Sequence, residues 1–241
     1  DEELLQYRFV NSRLQGHECM FELPGVDITP AGSLGMVLSY GIGSAIVSKQ
    51  RNHIFNTWVF LGDGEEQEGN VSEAARYAAN QNLGNLICIL DKNGKQLSRP
   101  TSDYNSKSDI ATIWRGYGWN VIEIDGHDID AIKQAYHHAC EYKDKPTLII
   151  AHTTKGNGLL GEKQNFCGYH TISNCPHDIV RKLIEEKETL LQKHNITKDV
   201  LLDFIQKGTK TINIQSTKAQ KPTYINLCLD SYQDVSQHDA T

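Results

Sequence analysis

Four short runs restrict what this 241-residue chain can become: TWVFL (57–61), LICIL (86–90), NVIEI (120–124) and TLIIA (147–151). Each is continuous or nearly continuous in apolar residues, which is the signature of a buried strand in a parallel sheet. Helical patterns lie between them. Residues 70–82 carry Val71, Ala74, Ala75, Ala78 and Ala79 on one face, and residues 128–142 carry Ile129, Ile132, Ala135, Tyr136 and Ala139. Upstream, Leu34, Val37, Leu38, Ile42, Ala45 and Ile46 mark a helix from about 33 to 50. Gly35, Gly41 and Gly43 punctuate it, so it must pack very closely against something. Strand, helix, strand, a loop with a helix-sized gap, strand, helix, strand is the rhythm of an α/β fold with a doubly wound, mainly parallel sheet.

The texture changes near residue 178. Residues 178–193 and 197–206 read as amphipathic helices, and 207–241 are polar with only weak strand signals. The expected division is a domain over 1–178 followed by a helical and extended arm over 179–241. The chain carries 24 Lys+Arg against 30 Asp+Glu, a net charge of −6. That balance argues against general binding to nucleic acid or to anionic membranes, both of which need a basic surface. No apolar run approaches the roughly 20 residues of a membrane helix, and no signal-peptide pattern opens the chain. A cytoplasmic protein with reduced thiols is the expectation. Asp1 starts what reads like mid-helix, so a front segment is expected to be missing. Cys167, His170, Cys175 and His177 cluster, but their spacing fits no common structural zinc pattern, and an ordinary loop is the preferred reading.

The strongest chemical signal runs from the end of the first strand to the end of the second: LGDGEEQEGNVSEAARYAANQNLGNLICILDKN. The chain leaves a buried strand at Leu61, turns through Gly62-Asp63-Gly64, and enters a helix near Asn70. The next strand delivers Asp91-Lys92-Asn93 at its carboxyl end, where ligands of open α/β sheets sit. Gly62 and Gly64 allow backbone N–H groups to approach a phosphate, and Asp63 with the Asn93 side-chain carbonyl supplies hard oxygen ligands. A dinucleotide site fits less well, because Gly62, Gly64 and Gly69 miss the G-x-G-x-x-G spacing. Asp63, Glu65, Glu66 and Glu68 would also repel a bare pyrophosphate. A divalent cation removes that difficulty, so the pattern asks for a metal-bridged diphosphate.

This stretch resembles the thiamine diphosphate motif, G-D-G followed about thirty residues later by Asn, in the form found in transketolases. It is particularly similar to the stand-alone N-terminal subunits of two-subunit transketolases. RLQGHECMFELPGVDITPAGSLG, IDGHDIDAIKQA and AHTTKGNG extend the resemblance on both sides, over roughly residues 10–178. The resemblance implies thiamine diphosphate held through Mg2+ (or Ca2+ or Mn2+), bound by the Asp63 and Asn93 side chains and the Lys95 main-chain carbonyl. It implies a diphosphate contact from the Gly64 N–H, and ring contacts from the backbone at Gly32 and Leu34. Glu68 matches an acid near the subunit interface, His17 a substrate-facing histidine, and His170 a histidine contacting diphosphate and substrate.

Each residue has a plainer reading. Asp63 could only cap a helix, Asn93-Gly94 could be a simple turn, Glu68 could favour a helix N-terminus, and His17 could be a surface histidine. Asp125 and His127 read as turn and capping residues outside the site. Glu18, Met36 and the Trp-less GYHTIS around His170 depart from the family pattern on the expected substrate side.

The implied activity is transfer of a two-carbon ketol unit from a ketose phosphate to an aldehyde acceptor. The acid that activates the aminopyrimidine lies on another domain in this family, so a pyrimidine-binding C-terminal subunit or domain is the expected partner. A heterotetramer, or a dimer of the two-part unit, is the expected assembly. Transfer to a non-sugar or carrier-protein acceptor, and a non-catalytic cofactor-binding relic, stay open as alternatives. A 2-oxo-acid dehydrogenase subunit or a deoxyxylulose-phosphate synthase shares the core motif, but PGVDITPAGSLG favours transketolase.

Overall fold

The computed structural model describes residues 6–17, 32–51, 55–97, 99–105, 107–157, 177–193, 195–197, 199–200 and 202–203. Four strands form one parallel sheet: β1 (Thr57–Gly62), β2 (Leu86–Lys92), β3 (Asn120–Asp125) and β4 (Thr147–His152), in the order β1-β2-β4-β3. All four apolar runs are strands. Because every pair is parallel, all carboxyl ends lie along one edge, with Gly62 beside Asp91 and His152 beside both Lys92 and Asp125.

Helices cover both faces. On one face α1 (Val37–Gln50), α3 (Gly69–Asn80) and α5 (Ile110–Tyr117) pack Leu38, Ile42, Ala45, Val71, Ala74, Ala75, Ala78 and Trp114 against Val59, Leu61, Cys88, Leu90, Leu148 and Ile150. On the other, α6 (Ile129–Glu141) sets Ala135 and Ala139 against Ile87, Ile89 and Ile149. The small residues of α3 and α6 are what let these helices lie close to the sheet. Two short helices, α2 (Asp63–Glu66) and α4 (Ser102–Asn105), follow the carboxyl ends of β1 and β2. A further helix, α7 (His177–Lys193), includes the expected 178–193 segment, and residues 199–200 and 202–203 of the expected 197–206 segment are also helical. The chain separates into two units, Asp1–Val180 and Arg181–Thr241. The 207–241 arm lies outside the described residues.

Several expectations need correction. The helix expected from 33 starts at Val37, because Gly35 adopts φ +86° and ends any upstream helical path. Gly41 does serve close packing, since a Cβ there would lie 2.3 Å from Val59 Cγ2, but a Cβ at Gly43 would meet nothing within 4 Å. The NVIEI strand is not fully buried: β3 is one of the two edge strands of the described sheet, and its residues are half-buried or exposed. Ile129 and Tyr136 of α6 are exposed rather than core. The helix-sized gap before β3 contains α5, which begins after Asp109 and ends at Gly118 with φ +99°, a left-handed helix terminus that favours glycine. Asp128 caps α6 by accepting from the Asp130 and Ala131 N–H groups.

Candidate functional site

The site grows from the carboxyl ends of β1 and β2. The glycine-flanked turn expected at 62–64 is tighter than a loop: β1 runs through Gly62, and Asp63 is already the first residue of α2. The Asp63 side chain is therefore buried, at 3% exposure. Its Oδ2 accepts the Gly94 N–H at 2.5 Å, joining the end of β1 to the turn after β2. Desolvation holds the Asp63 carboxyl above its ordinary value; the Gly94 N–H opposes that shift, while the Asp91 charge adds to it.

Asn93 is held at both ends of its amide. Its Nδ2 donates to Asp91 Oδ2 at 2.9 Å, and its Oδ1 accepts the Lys95 N–H at 2.9 Å. Asp91 also accepts the Thr153 hydroxyl, which reaches across from the chain leaving β4. A Cβ on Gly64 would sit 3.2 Å from Gln96 Cβ, so the 93–96 turn lies against α2. Gln67 closes the group by donating to the Asp63 carbonyl at 3.1 Å and to Gln96 Oε1 at 3.0 Å.

The other acids of the motif face different surroundings. Glu66 points into the core, where its Oε1 accepts the Trp114 indole N–H at 3.0 Å. Glu65 Oε1 accepts the Gly35 N–H at 3.0 Å. Glu68 is exposed in the N-cap position of α3, but its side chain makes no cap hydrogen bond. A Cβ on Gly35 would come within 2.6 Å of Glu68 Cβ. These two contacts bring the segment containing Gly32, Leu34 and Gly35 beside the acidic motif, with Gly32 and Leu34 exposed.

The structure thus gathers Asp63, Gly64, Asn93 and Lys95 in one place and sets Glu68 next to the Gly32–Gly35 turn. His17 is not bonded to them. That residue is exposed in the 6–17 segment, and no hydrogen bond or ion pair links it to the group among the described residues. His170 lies outside the described residues. Trp114 is the member of this region that sequence reading missed; it belongs to the helix hidden in the gap. Its signal was an indole in the IATIWRGY pattern, facing a motif acid that needs a donor in the core.

The donor chemistry suits a hard cation. A buried carboxylate and an oriented amide oxygen on neighbouring strand ends are ligands of the class that Mg2+ takes. The raised Asp63 carboxyl also shows that burial disfavours its charge unless a positive charge is close.

Residues 2–222 match the family described as transketolase, thiamine diphosphate binding domain. The chain belongs to the transketolase family. It is 33% identical over 186 residues to one of the subunits of the apulose-4-phosphate transketolase of Phocaeicola vulgatus, covering 76% of this chain and 66% of that one. It is 38% identical over 187 residues to transketolase 1 of Saccharomyces cerevisiae, covering 73% and 26%. A crystal structure of a transketolase mutant from Pichia stipitis superposes with a TM-score of 0.64 at 28% identity, covering 86% of this chain and 35% of that one. This transketolase chain therefore spans slightly less than two thirds of the Phocaeicola relative, and about a quarter to a third of the longer enzymes. Among the described residues, no helix of the transketolase chain is long and apolar enough to cross a membrane.

Glu66 gives a prediction of its own. Desolvation raises its carboxyl, opposed by the Trp114 hydrogen bond and reinforced by the Asp63 charge. A carboxyl raised in the folded state stabilises below its unfolded pKa and loses that contribution as pH climbs through the folded value. Glu66→Gln keeps an acceptor for Trp114 and removes the charge. Its melting temperature in the metal-free chain is expected to exceed wild type at pH 8 and to converge with it near pH 4. Parallel melting curves for the two proteins across that range would refute the assignment.

Proposed function

We propose that this chain forms the diphosphate-binding half of a thiamine diphosphate- and Mg2+-dependent transketolase site. The observation that carries this reading is the buried Asp63 carboxylate tied through the Gly94 N–H to the Asn93 turn of the adjacent strand. In this reading the Asp63 and Asn93 side chains and the Lys95 carbonyl hold the metal, for which Ca2+ or Mn2+ can substitute, and the Gly64 N–H faces the diphosphate. Gly32 and Leu34 border the cofactor rings. Glu68 is the interface acid, and His17 and His170 face substrate. When bound, the cofactor supplies the electron sink that lets a carbon–carbon bond next to a carbonyl break and re-form. The protein's share is to bind, orient and exclude water.

The activity we assign is transfer of a two-carbon ketol unit from a ketose phosphate to an aldehyde acceptor. A sugar-phosphate donor is supported by the name of the Phocaeicola relative, an apulose-4-phosphate transketolase. That relative is one subunit of its enzyme, which also supports a separate pyrimidine-binding partner for this chain. The assembly we assign is a heterotetramer, or a dimer of two-part units. The docking surface we assign to that partner is a groove of about 360 Å3 between α1 and α3, lined by Met36, Ser39, Ile42, Asn70, Glu73 and Tyr77 among others. A cytoplasmic location belongs to the same reading.

Calorimetric titration of the full chain with thiamine diphosphate is expected to show binding that depends on Mg2+. Turnover of a ketose phosphate with an aldose phosphate is expected only when the pyrimidine-binding partner is added. Equal cofactor affinity with and without Mg2+ would remove the metal-bridged reading, and full turnover by the isolated chain would remove the half-site reading.

A further inference from the structure

The DGH turn after β3 has no place in the cofactor site, yet its contacts run toward that site. Asp125 Oδ1 accepts the His127 N–H at 2.9 Å, and the Gly126 N–H donates to the His152 carbonyl at 2.8 Å. His127 Nε2 accepts the Thr154 N–H at 2.8 Å. A Cβ on Gly126 would lie 2.4 Å from Thr153 Cγ2, so only glycine leaves Thr153 its position. From the other side, the Thr153 N–H donates to the Lys92 carbonyl at 3.2 Å. Thr153 is thus clamped between the ends of β2 and β3, and its hydroxyl donates to Asp91 Oδ1.

The other oxygen of Asp91 receives the Asn93 amide nitrogen at 2.9 Å. A carboxylate only accepts, so the end of the Asn93 amide facing Asp91 must be the NH2 group. The carbonyl end is then turned away from Asp91, where the Lys95 N–H meets it. If the amide were flipped, the proposed metal position would face two N–H donors in place of an oxygen. We infer that Asp91 is a positioning residue, held by Thr153, that fixes the Asn93 amide with its oxygen available to the divalent cation. This rests on the proposed function above and adds to it the residue that sets ligand polarity. The same geometry gives the DGH turn a purpose, which is to seat Thr153.

A double-mutant cycle separates positioning from direct ligation. Mg2+ is titrated calorimetrically into the full 241-residue chain with excess thiamine diphosphate. Asp91→Ala is expected to weaken Mg2+ binding by roughly ten- to a hundredfold, the usual effect of losing a group that orients a ligand. Asn93→Ala should lose at least as much, and the double variant no more than Asn93→Ala alone, because Asp91 acts only through Asn93. Losses that multiply in the double variant overturn the inference, since Asp91 would then act independently of Asn93. Wild-type affinity in Asp91→Ala also overturns it. Thr153→Val keeps the side-chain shape and removes the hydroxyl; it should shift Mg2+ affinity in the same direction by a smaller factor, and it carries the test if Asp91→Ala fails to fold. A wild-type chain that takes up neither Mg2+ nor thiamine diphosphate overturns the proposed function and this inference together. Wild-type binding with unchanged variants overturns the inference alone.

Discussion

Asp63→Ala is expected to remove Mg2+-dependent thiamine diphosphate binding, and Asp63→Asn to do the same while leaving the metal-free fold at least as stable as wild type. The two halves of this outcome share one cause. Asp63 is buried at a strand end, and desolvation raises its carboxyl from the ordinary 3.8. Without a cation, the ionised form costs the folded state stability. The sign follows from linkage: the folded chain holds this proton more tightly than the unfolded one, so the contribution is fully present below about pH 3.8 and declines as pH rises through the folded value. Removing the carboxylate removes that penalty at neutral pH. It also removes the one buried carboxylate of the proposed metal site, and the affinity loss should exceed the roughly hundredfold upper range for an outer positioning group. Asp63→Asn sharpens the test, because its amide oxygen can still accept the Gly94 N–H. It should melt at or above the wild-type temperature near pH 8 and still fail to bind cofactor through Mg2+. Asp63→Ala with wild-type Mg2+-dependent affinity, measured by calorimetry, would show that the ligand assignment is mistaken.

The acidic motif shows where sequence reasoning reaches and where it stops. As letters, Asp63, Glu65, Glu66 and Glu68 formed one negative cluster calling for a cation. In three dimensions they separate, because a four-residue helix turns successive side chains by about 100° each. Asp63 faces the turn after β2, Glu65 reaches the Gly35 N–H, Glu66 enters the core toward Trp114, and Glu68 stays exposed beside Gly35. Of the four acids, only Asp63 bonds to the turn that carries Asn93. The parallel sheet was legible because central strands buried on both faces, such as β2 and β4, read as unbroken apolar runs. The edge strand β3 read the same way at its apolar positions, but strand order is a tertiary fact that periodicity does not carry. The α5 helix escaped because eight residues make about two turns, too few for a repeating stripe. The Asp91–Thr153 contact spans 62 residues and depends on register between β2 and β4, so no local pattern could reveal it.

Gly84→Ala is expected to be among the most damaging single-methyl additions to the fold, with no effect on the cofactor site in molecules that remain folded. Gly84 lies in the turn between α3 and β2, at the sheet edge opposite the site. A Cβ there would sit 1.8 Å from the Lys143 carbonyl oxygen and 2.8 Å from Lys143 Cα. Both obstacles are backbone, so no rotamer change can relieve them. The segment around Lys143 leads into β4, which is paired with β2 from Ile87↔Thr147 onward. Moving either turn away therefore pulls on the register of the two central strands. The cost should lie at or beyond the top of the ~1–3 kcal/mol range for overpacking, a drop of roughly 6–12 °C in melting temperature for a chain of this size. Gly41→Ala provides the contrast. Its new methyl would meet Val59 Cγ2 at 2.3 Å, which is side chain rather than backbone. Val59→Ala should therefore raise the stability of the Gly41→Ala protein, whereas Lys143→Ala should leave Gly84→Ala as unstable as before, since the colliding atoms remain. A Gly84→Ala chain melting within about a degree of wild type would mean that the two turns separate freely and that the β2–β4 register does not depend on their contact.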